Sequence, residues 1–277
     1  MSIKPLSPAE SRAAAASALR VVAWGIAIYG AARLAAIVLE SVSLPAAVAQ
    51  AVIAEWGVGR LGVAWSDPTT PLPTAGTIAR RAGLGAVVGV IAAAVVVGFL
   101  AATQAIVLDR ASPVGSTVAV ALLTAGLYAM RDELLLHGLV VRTLVSVESP
   151  IAKVIACGLT SAAAAYGEVG AAPSAIAVQG LLGVVFGALW VRDRGAWPAW
   201  GAHTLWLFAT SAMMQGGLFE AHVASNAWGG GEGGPLGGRA AVIALLPLAM
   251  GALVGAAGGK AGKNGKTGKN GQKQAAA

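Results

Sequence analysis

Charge is what this chain has least of. Only 11% of its 277 residues are Asp, Glu, Lys or Arg, against 57% hydrophobic, and the mean hydropathy is +0.74. A soluble domain averages roughly 25% charged residues, so this sequence cannot cover a water-soluble globule of its own size. Cysteine is nearly missing as well. Cys157 stands alone, which excludes an internal disulfide and any paired-cysteine metal or redox motif; within its apolar run it reads as a small core residue. Aromatic residues make up 5%, and none is interleaved with the only dense basic stretch, the tail GGKAGKNGKTGKNGQKQAAA at residues 258–277. The formal charge of +7 therefore does not point to nucleic acid. That tail has no apolar residue larger than alanine, so it reads as a disordered topogenic segment beside an anionic leaflet. Dyad alternation of the outer-membrane-barrel kind is absent too: the apolar runs reach about 20 residues, the length of a membrane-crossing helix.

What is present are such runs. They fall at about residues 21–42, 45–65, 82–108, 114–145, 151–166, 173–191, 198–216 and 239–258, predicting an all-α polytopic membrane protein, a bundle of about eight transmembrane helices. The 38 glycines suit helices packed closely in lipid. The first run is too long for a signal-peptide core and carries Arg33, so it reads as an uncleaved span. The second is the weakest, interrupted by Glu55 and Arg60. In an eight-span count Arg80 and Arg81, the segment from Arg142 to Lys153, Arg192 with Arg194, and the lysine tail all fall on one side. The positive-inside rule makes that side cytoplasmic, with both termini on it, in the inner (plasma) membrane. The expected organisation is a cytoplasmic segment at 1–20, N-terminal membrane helices at 21–113, a core at 114–258 and the tail at 259–277. No fixed-period repeat and no inverted halves argue for a transporter. The segment GGGEGGPLGG at 229–238 lacks the strand-before, helix-after setting of a phosphate loop and reads as a connector.

Charge inside a span costs at least about 2.5–3.5 kcal/mol at mid-membrane, so intramembrane ionisable residues are functional candidates by default. The densest group is RDELLLHGLVVR, from Arg131 to Arg142. Glu133 and His137 are four apart and share a helix face, with Asp132 about a quarter turn away. A carboxylate and an imidazole so placed could hold a water with Glu133 as general base, could be two metal ligands, or could be a hydrogen bond that joins spans. Glu168, in TSAAAAYGEVG, and His203, in WPAWGAHTLWLF, place polar groups on two further apolar segments, with Thr210 on the His203 face. His222 falls in the segment between the last two spans and reads as surface.

These residues resemble the motifs of the CPBP family (CAAX protease and bacteriocin-processing), also called ABI or glutamic-type intramembrane proteases. Asp132-Glu133-Leu134-Leu135-Leu136-His137-Gly138 has the layout of the family's Glu-Glu, three residues, Arg, Gly. Thr160-Ser161 followed by Ala164 to Glu168 has the register of its Phe, three residues, His. Trp197-Pro198 to His203, with Leu207, has the register of its His, three residues, Asn or Asp. The resemblance spans about residues 114–212. It implies an intramembrane endopeptidase, metal-free, acting on a membrane-anchored protein or peptide. Glu133 takes the place of the water-activating glutamate, and His203 that of the histidine which positions water or stabilises the oxyanion. His137 replaces the family's Arg, Glu168 its second His, and Leu207 its amide donor. The redistributed site would use His137 and His203 as donors and Glu133 and Glu168 as carboxylates, with Asp132 beside them. Zinc held by Glu133, His137, Glu168 and His203 is the minority alternative. A non-catalytic scaffold or immunity-type protein that keeps the fold is the alternative from another class.

Overall fold

The structure is a computed structural model, and it describes residues 8–66, 71–112, 115–167, 172–212, 219–224, 226–230, 234 and 236–258. Its helices are α1 (Pro8–Val38), α2 (Ser43–Gly59), α3 (Ala75–Ala102), α4 (Gly115–Asp132), α5 (Leu139–Thr143), α6 (Pro150–Tyr166), α7 (Pro173–Asp193), α8 (Trp197–Leu207) and α9 (Arg239–Gly258). A π-helical turn, Glu133–Gly138, joins α4 to α5, and a second, Phe208–Ala212, continues α8. Local chemistry marks several starts. Ser149 Oγ accepts the Ala152 N–H at 3.3 Å and Thr74 Oγ1 accepts the Thr77 N–H at 3.3 Å, the N-cap arrangement. Pro150, Pro173 and Pro198 sit in the first turns of α6, α7 and α8, where proline's missing N–H would have had no helical acceptor.

The helical expectation misses one small sheet. The third apolar run, read from the sequence as helical to residue 108, ends as helix at Ala102; Gln104 then adopts a left-handed backbone, φ 56°. Strand β1 (Ile106–Arg110) follows and pairs antiparallel with β2 (Phe219–Val223), from Ile106 opposite Val223 to Arg110 opposite Phe219. Five-residue strands are too short to register as alternation in a chain dominated by long apolar runs. His222, on β2, is exposed and pairs with Asp109 at 3.1 Å.

Among the described residues, four helices are long and apolar enough to cross a membrane: Ser17–Val38, α3, α7 and α9. They leave large apolar side chains without protein cover. On α1 these include Leu19, Ile26, Leu34 and Ile37, and on α3 Leu84, Val87, Ile91 and Val95. Exposure of this kind is what a bundle shows when its outer surface meets lipid rather than water.

With no hydrophobic drive between helices in lipid, close packing has to hold the bundle together. α3 lies along α8 and α6 along α7, the two most intimate pairs. At the first, a Cβ placed on Gly89 would stand 2.2 Å from the Ala202 carbonyl oxygen, and one on Gly85 1.9 Å from that of Pro198. At the second, a Cβ on Gly183 would meet Ser161 Oγ at 2.4 Å, and one on Gly187 would meet Cys157 Cβ at 2.6 Å. The main apolar core unites α3, α7, α8 and α9 around Trp206, Leu100, Leu245 and Phe186. A second cluster joins α1, α2 and the π turn through Ile28, Val58 and Leu134. The π turn is thus wedged between the two packed halves.

Candidate active site

Glu133 opens the π turn, and its side chain is completely buried, 0% exposed. The turn carries an i to i−5 backbone bond, from the Leu139 N–H to the Leu134 carbonyl. Such insertions are rare and recur at functional sites. This one presents Glu133 and His137 together to the interior.

The carboxylate collects its partners from three helical segments. His137 Nδ1 lies 2.9 Å from Glu133 Oε2. Trp190, on α7, donates its indole N–H to the same oxygen at 2.7 Å. His203, on α8, places Nδ1 2.9 Å from Glu133 Oε1. An ionised carboxylate only accepts, so both imidazoles carry a proton on Nδ1 when they meet it. The far side of His137 is also occupied: Nε2 is 3.2 Å from Ser161 Oγ on α6, within hydrogen-bond distance. Phe186, one turn before Trp190 on α7, stacks on the His203 ring with centroids 4.4 Å apart and planes 17° off parallel. A buried anion unpaired in low dielectric is prohibitively unfavourable; here hydrogen-bond donors surround it on both oxygens. On the far side of Trp190 and Gly138 lies a cavity of about 560 Å³ bordered by Arg142, Lys153 and Arg194.

Of the residues singled out from the sequence, Glu133, His137 and His203 converge. Asp132 does not. Its carboxylate accepts from Arg131 Nε at 2.6 Å, and Arg131 reaches on to Gln50 Oε1 of α2. This network borders a separate cavity of about 550 Å³ that also includes Arg33 and Thr117. Helical rotation accounts for the split, because consecutive residues point about 100° apart. Thr210 is buried, and its hydroxyl bonds back to the Trp206 carbonyl at 2.8 Å. Glu168 and the lysine tail lie outside the described residues. Cys157 is fully buried against α7, which leaves it inaccessible.

Sequence reasoning missed Trp190 and Phe186, and it saw Ser161 only as part of a motif. Trp190 had one usable signal. A tryptophan deep in an apolar helix still has an N–H to satisfy, and acceptors in this interior are few. As for a metal, among the described residues no group of three or more His, Cys, Asp or Glu side chains is arranged to hold one. Both Nδ1 atoms lie 2.9 Å from carboxylate oxygens of Glu133.

Fold and site together define a class: a mostly helical protein with helices long and apolar enough to cross a membrane, whose interior holds a buried glutamate clasped by two histidines and a tryptophan. Residues 113–209 match the family described as Rce1-like, type II CAAX prenyl endopeptidase Rce1-like, in keeping with the CPBP resemblance. The matched stretch contains Glu133, His137, Ser161, Trp190 and His203. No curated protein and no solved structure matches the chain.

Proposed function

We propose that this protein is an intramembrane endopeptidase that hydrolyses a peptide bond in a membrane-anchored protein or peptide, using water activated at Glu133. The observation that carries the reading is the fully buried Glu133 carboxylate held between His137 and His203. Burying an ionisable cluster costs free energy that an apolar replacement would not, and the cluster lies in the stretch that matches a CAAX endopeptidase family. Glu133 supplies negative charge for water activation, and the imidazoles hold and orient its carboxylate. Substrate classes consistent with the family are CAAX-type C-termini, bacteriocin precursors and C-terminal sorting helices. The chain crosses the plasma membrane eight times with both termini in the cytoplasm, on the strength of its basic clusters, and it works without a metal.

The test is Glu133→Gln, compared with wild type by proteomics of membrane-protein termini in cells and by cleavage of an internally quenched farnesylated CAAX peptide in detergent. Loss of a triad-type carboxylate's charge elsewhere costs about 10⁴-fold. A folded Glu133→Gln protein should therefore cleave at least about 10³-fold more slowly and leave uncut termini to accumulate. Unchanged termini and unchanged cleavage would reject the peptidase reading and favour a scaffold, for which the replacement of the family's amide position by Leu207 already speaks.

A further inference from the structure

We infer that this protein binds one anionic phospholipid, with the phosphate held by Arg142 and Lys153 and one acyl chain in the groove between α1 and α6. The site stands apart from the peptidase reading and needs no cleavage to exist. Its polar half is the cavity of about 560 Å³ behind Trp190, bordered by Arg142, Lys153 and Arg194. Among the described residues that border it none is Asp or Glu, and the remaining wall is apolar or small apart from Ser66. Arg142 lies in the last turn of α5 and Arg194 follows α7, where a cation complements the helix dipole. Lys153 has no such reason. It lies in the first turn of α6, against the positive end of that dipole. Arg194 also holds a left-handed backbone, φ 56°, which glycine would adopt with less strain. Two of the three cations thus sit where local rules disfavour them, and an anion held in the cavity offsets that.

The apolar half lies across α5 from that cavity. A groove of about 460 Å³ runs between α1 and α6, walled among others by Val21 and Ile26 of α1 and Val140 of α5. One stripe of α6 joins the two halves: Lys153 borders the cavity, and Ala156, Thr160 and Ala163 border the groove. At 100° per residue these four fall within an arc of about 80°. From Lys153 to Ala163 the helix rises about 15 Å, the depth of one leaflet's hydrocarbon. A phosphate at Lys153 therefore sets its chain along the groove. Two properties of the groove select an acyl chain over a peptide. Its two threonine hydroxyls donate to their own helices, Thr160 to the Ala156 carbonyl at 2.9 Å and Thr143 to the Leu139 carbonyl at 2.8 Å, which leaves the polar backbone of an extended peptide poorly matched there. A helix, about 10 Å across, would need on the order of 1,200 Å³ over the same length. Leu135 and Leu136 of the π turn also line the groove, so the bound chain braces the turn that carries Glu133 and His137.

The test is native mass spectrometry of the full chain in a non-ionic detergent, offered equal amounts of dioleoyl phosphatidylglycerol and dioleoyl phosphatidylcholine. Wild type should keep one phosphatidylglycerol per chain and at most about a tenth as much phosphatidylcholine, from two cations at an anionic headgroup. Arg142→Gln combined with Lys153→Gln should weaken phosphatidylglycerol about 25-fold, roughly fivefold for each cation. Ala163→Trp fills the far end of the groove. It should weaken the dioleoyl lipid at least about tenfold, the loss of two or more buried methylenes, and leave dihexanoyl phosphatidylglycerol, whose chains stop short of it, within about twofold. Equal retention of the two lipids by wild type, which needs no variant, overturns the inference. So does a double variant that holds phosphatidylglycerol as wild type does, or an Ala163→Trp protein that binds both chain lengths unchanged. Inorganic phosphate that competes as well as the dihexanoyl lipid would make the cavity a free-anion site, and one-for-one displacement of the lipid by the farnesylated CAAX peptide would make it a substrate site; either result removes the lipid. No arm reads cleavage at Glu133, so failure here leaves the peptidase reading where it stands.

Discussion

Trp190→Phe removes one hydrogen-bond donor from Glu133 and shortens a side chain that is 4% exposed. Two effects follow, and they differ in size. A hydrogen bond to a charged group is worth about 1.5–3 kcal/mol when one partner is deleted and the other stays buried. Trading indole for phenyl also leaves an unfilled volume on the order of 30–40 Å³, which at about 24 cal/mol per Å³ adds roughly 1 kcal/mol. The sum, about 2.5–4 kcal/mol, is measurable as a shift in unfolding by sodium dodecyl sulfate titrated against mild detergent. The cavity contribution does not depend on the charge of Glu133, but the hydrogen-bond contribution does. In a Glu133→Gln background the indole faces a neutral amide oxygen, where a bond is worth only about 1 kcal/mol. Trp190→Phe should therefore cost about 0.5–2 kcal/mol less there, and this difference is the coupling energy of a double-mutant cycle. Strictly additive losses, within about 0.5 kcal/mol, would refute the view that Trp190 stabilises the Glu133 anion.

Gly89→Leu should break the α3–α8 contact, because a Cβ alone already overlaps the Ala202 carbonyl; a full-length variant that stays monodisperse and as stable as wild type would contradict that packing. Purified protein should hold no stoichiometric zinc and should keep its peptide cleavage after chelation; zinc bound one-to-one and lost together with activity would refute a metal-free site. Asp132→Asn should retain far more activity than Glu133→Gln, since Asp132 turns to Arg131 and away from the cluster; equal losses in the peptide assay would contradict the separation. Reporter fusions after Arg81 and after Ala277 should both report the cytoplasm, and an external Ala277 would overturn the eight-span topology.

The sequence pointed to a helical, strongly apolar chain and to three residues that the fold brings together, because both follow from the cost of charge in hydrocarbon. Glu133, His137 and His203 stood out as ionisable groups in runs that could otherwise be wholly apolar. What it did not disclose came from interactions that ordinary helical spacing does not encode. An α-helix places Glu133 and His137 on one face but gives no reason for the π turn that holds them, which depends on Leu134, Leu135 and Leu139 being gripped between α1, α2 and the rest of the bundle. The same spacing grouped Asp132 with Glu133, whereas the gap between α2 and α4 admits Gln50 and draws Arg131 and Asp132 out of the cluster.

The departures from the family motif acquire a physical meaning in that light. An arginine at position 137 would bring a permanent charge and a fork of donors. Histidine brings a ring that offers one N–H to Glu133 and leaves its other nitrogen to a second partner, Ser161. Trp190 adds the donor that an imidazole lacks relative to a guanidinium, and it does so from a different helix. The pocket therefore differs from a Glu–Arg arrangement: two imidazoles and an indole, each offering one N–H, meet the glutamate in place of a permanent cation. A site reorganised in this way should not be restored toward the family pattern by His137→Arg alone. The added cation would compete with His203 for the carboxylate and, with its longer side chain, would displace Ser161 or Trp190.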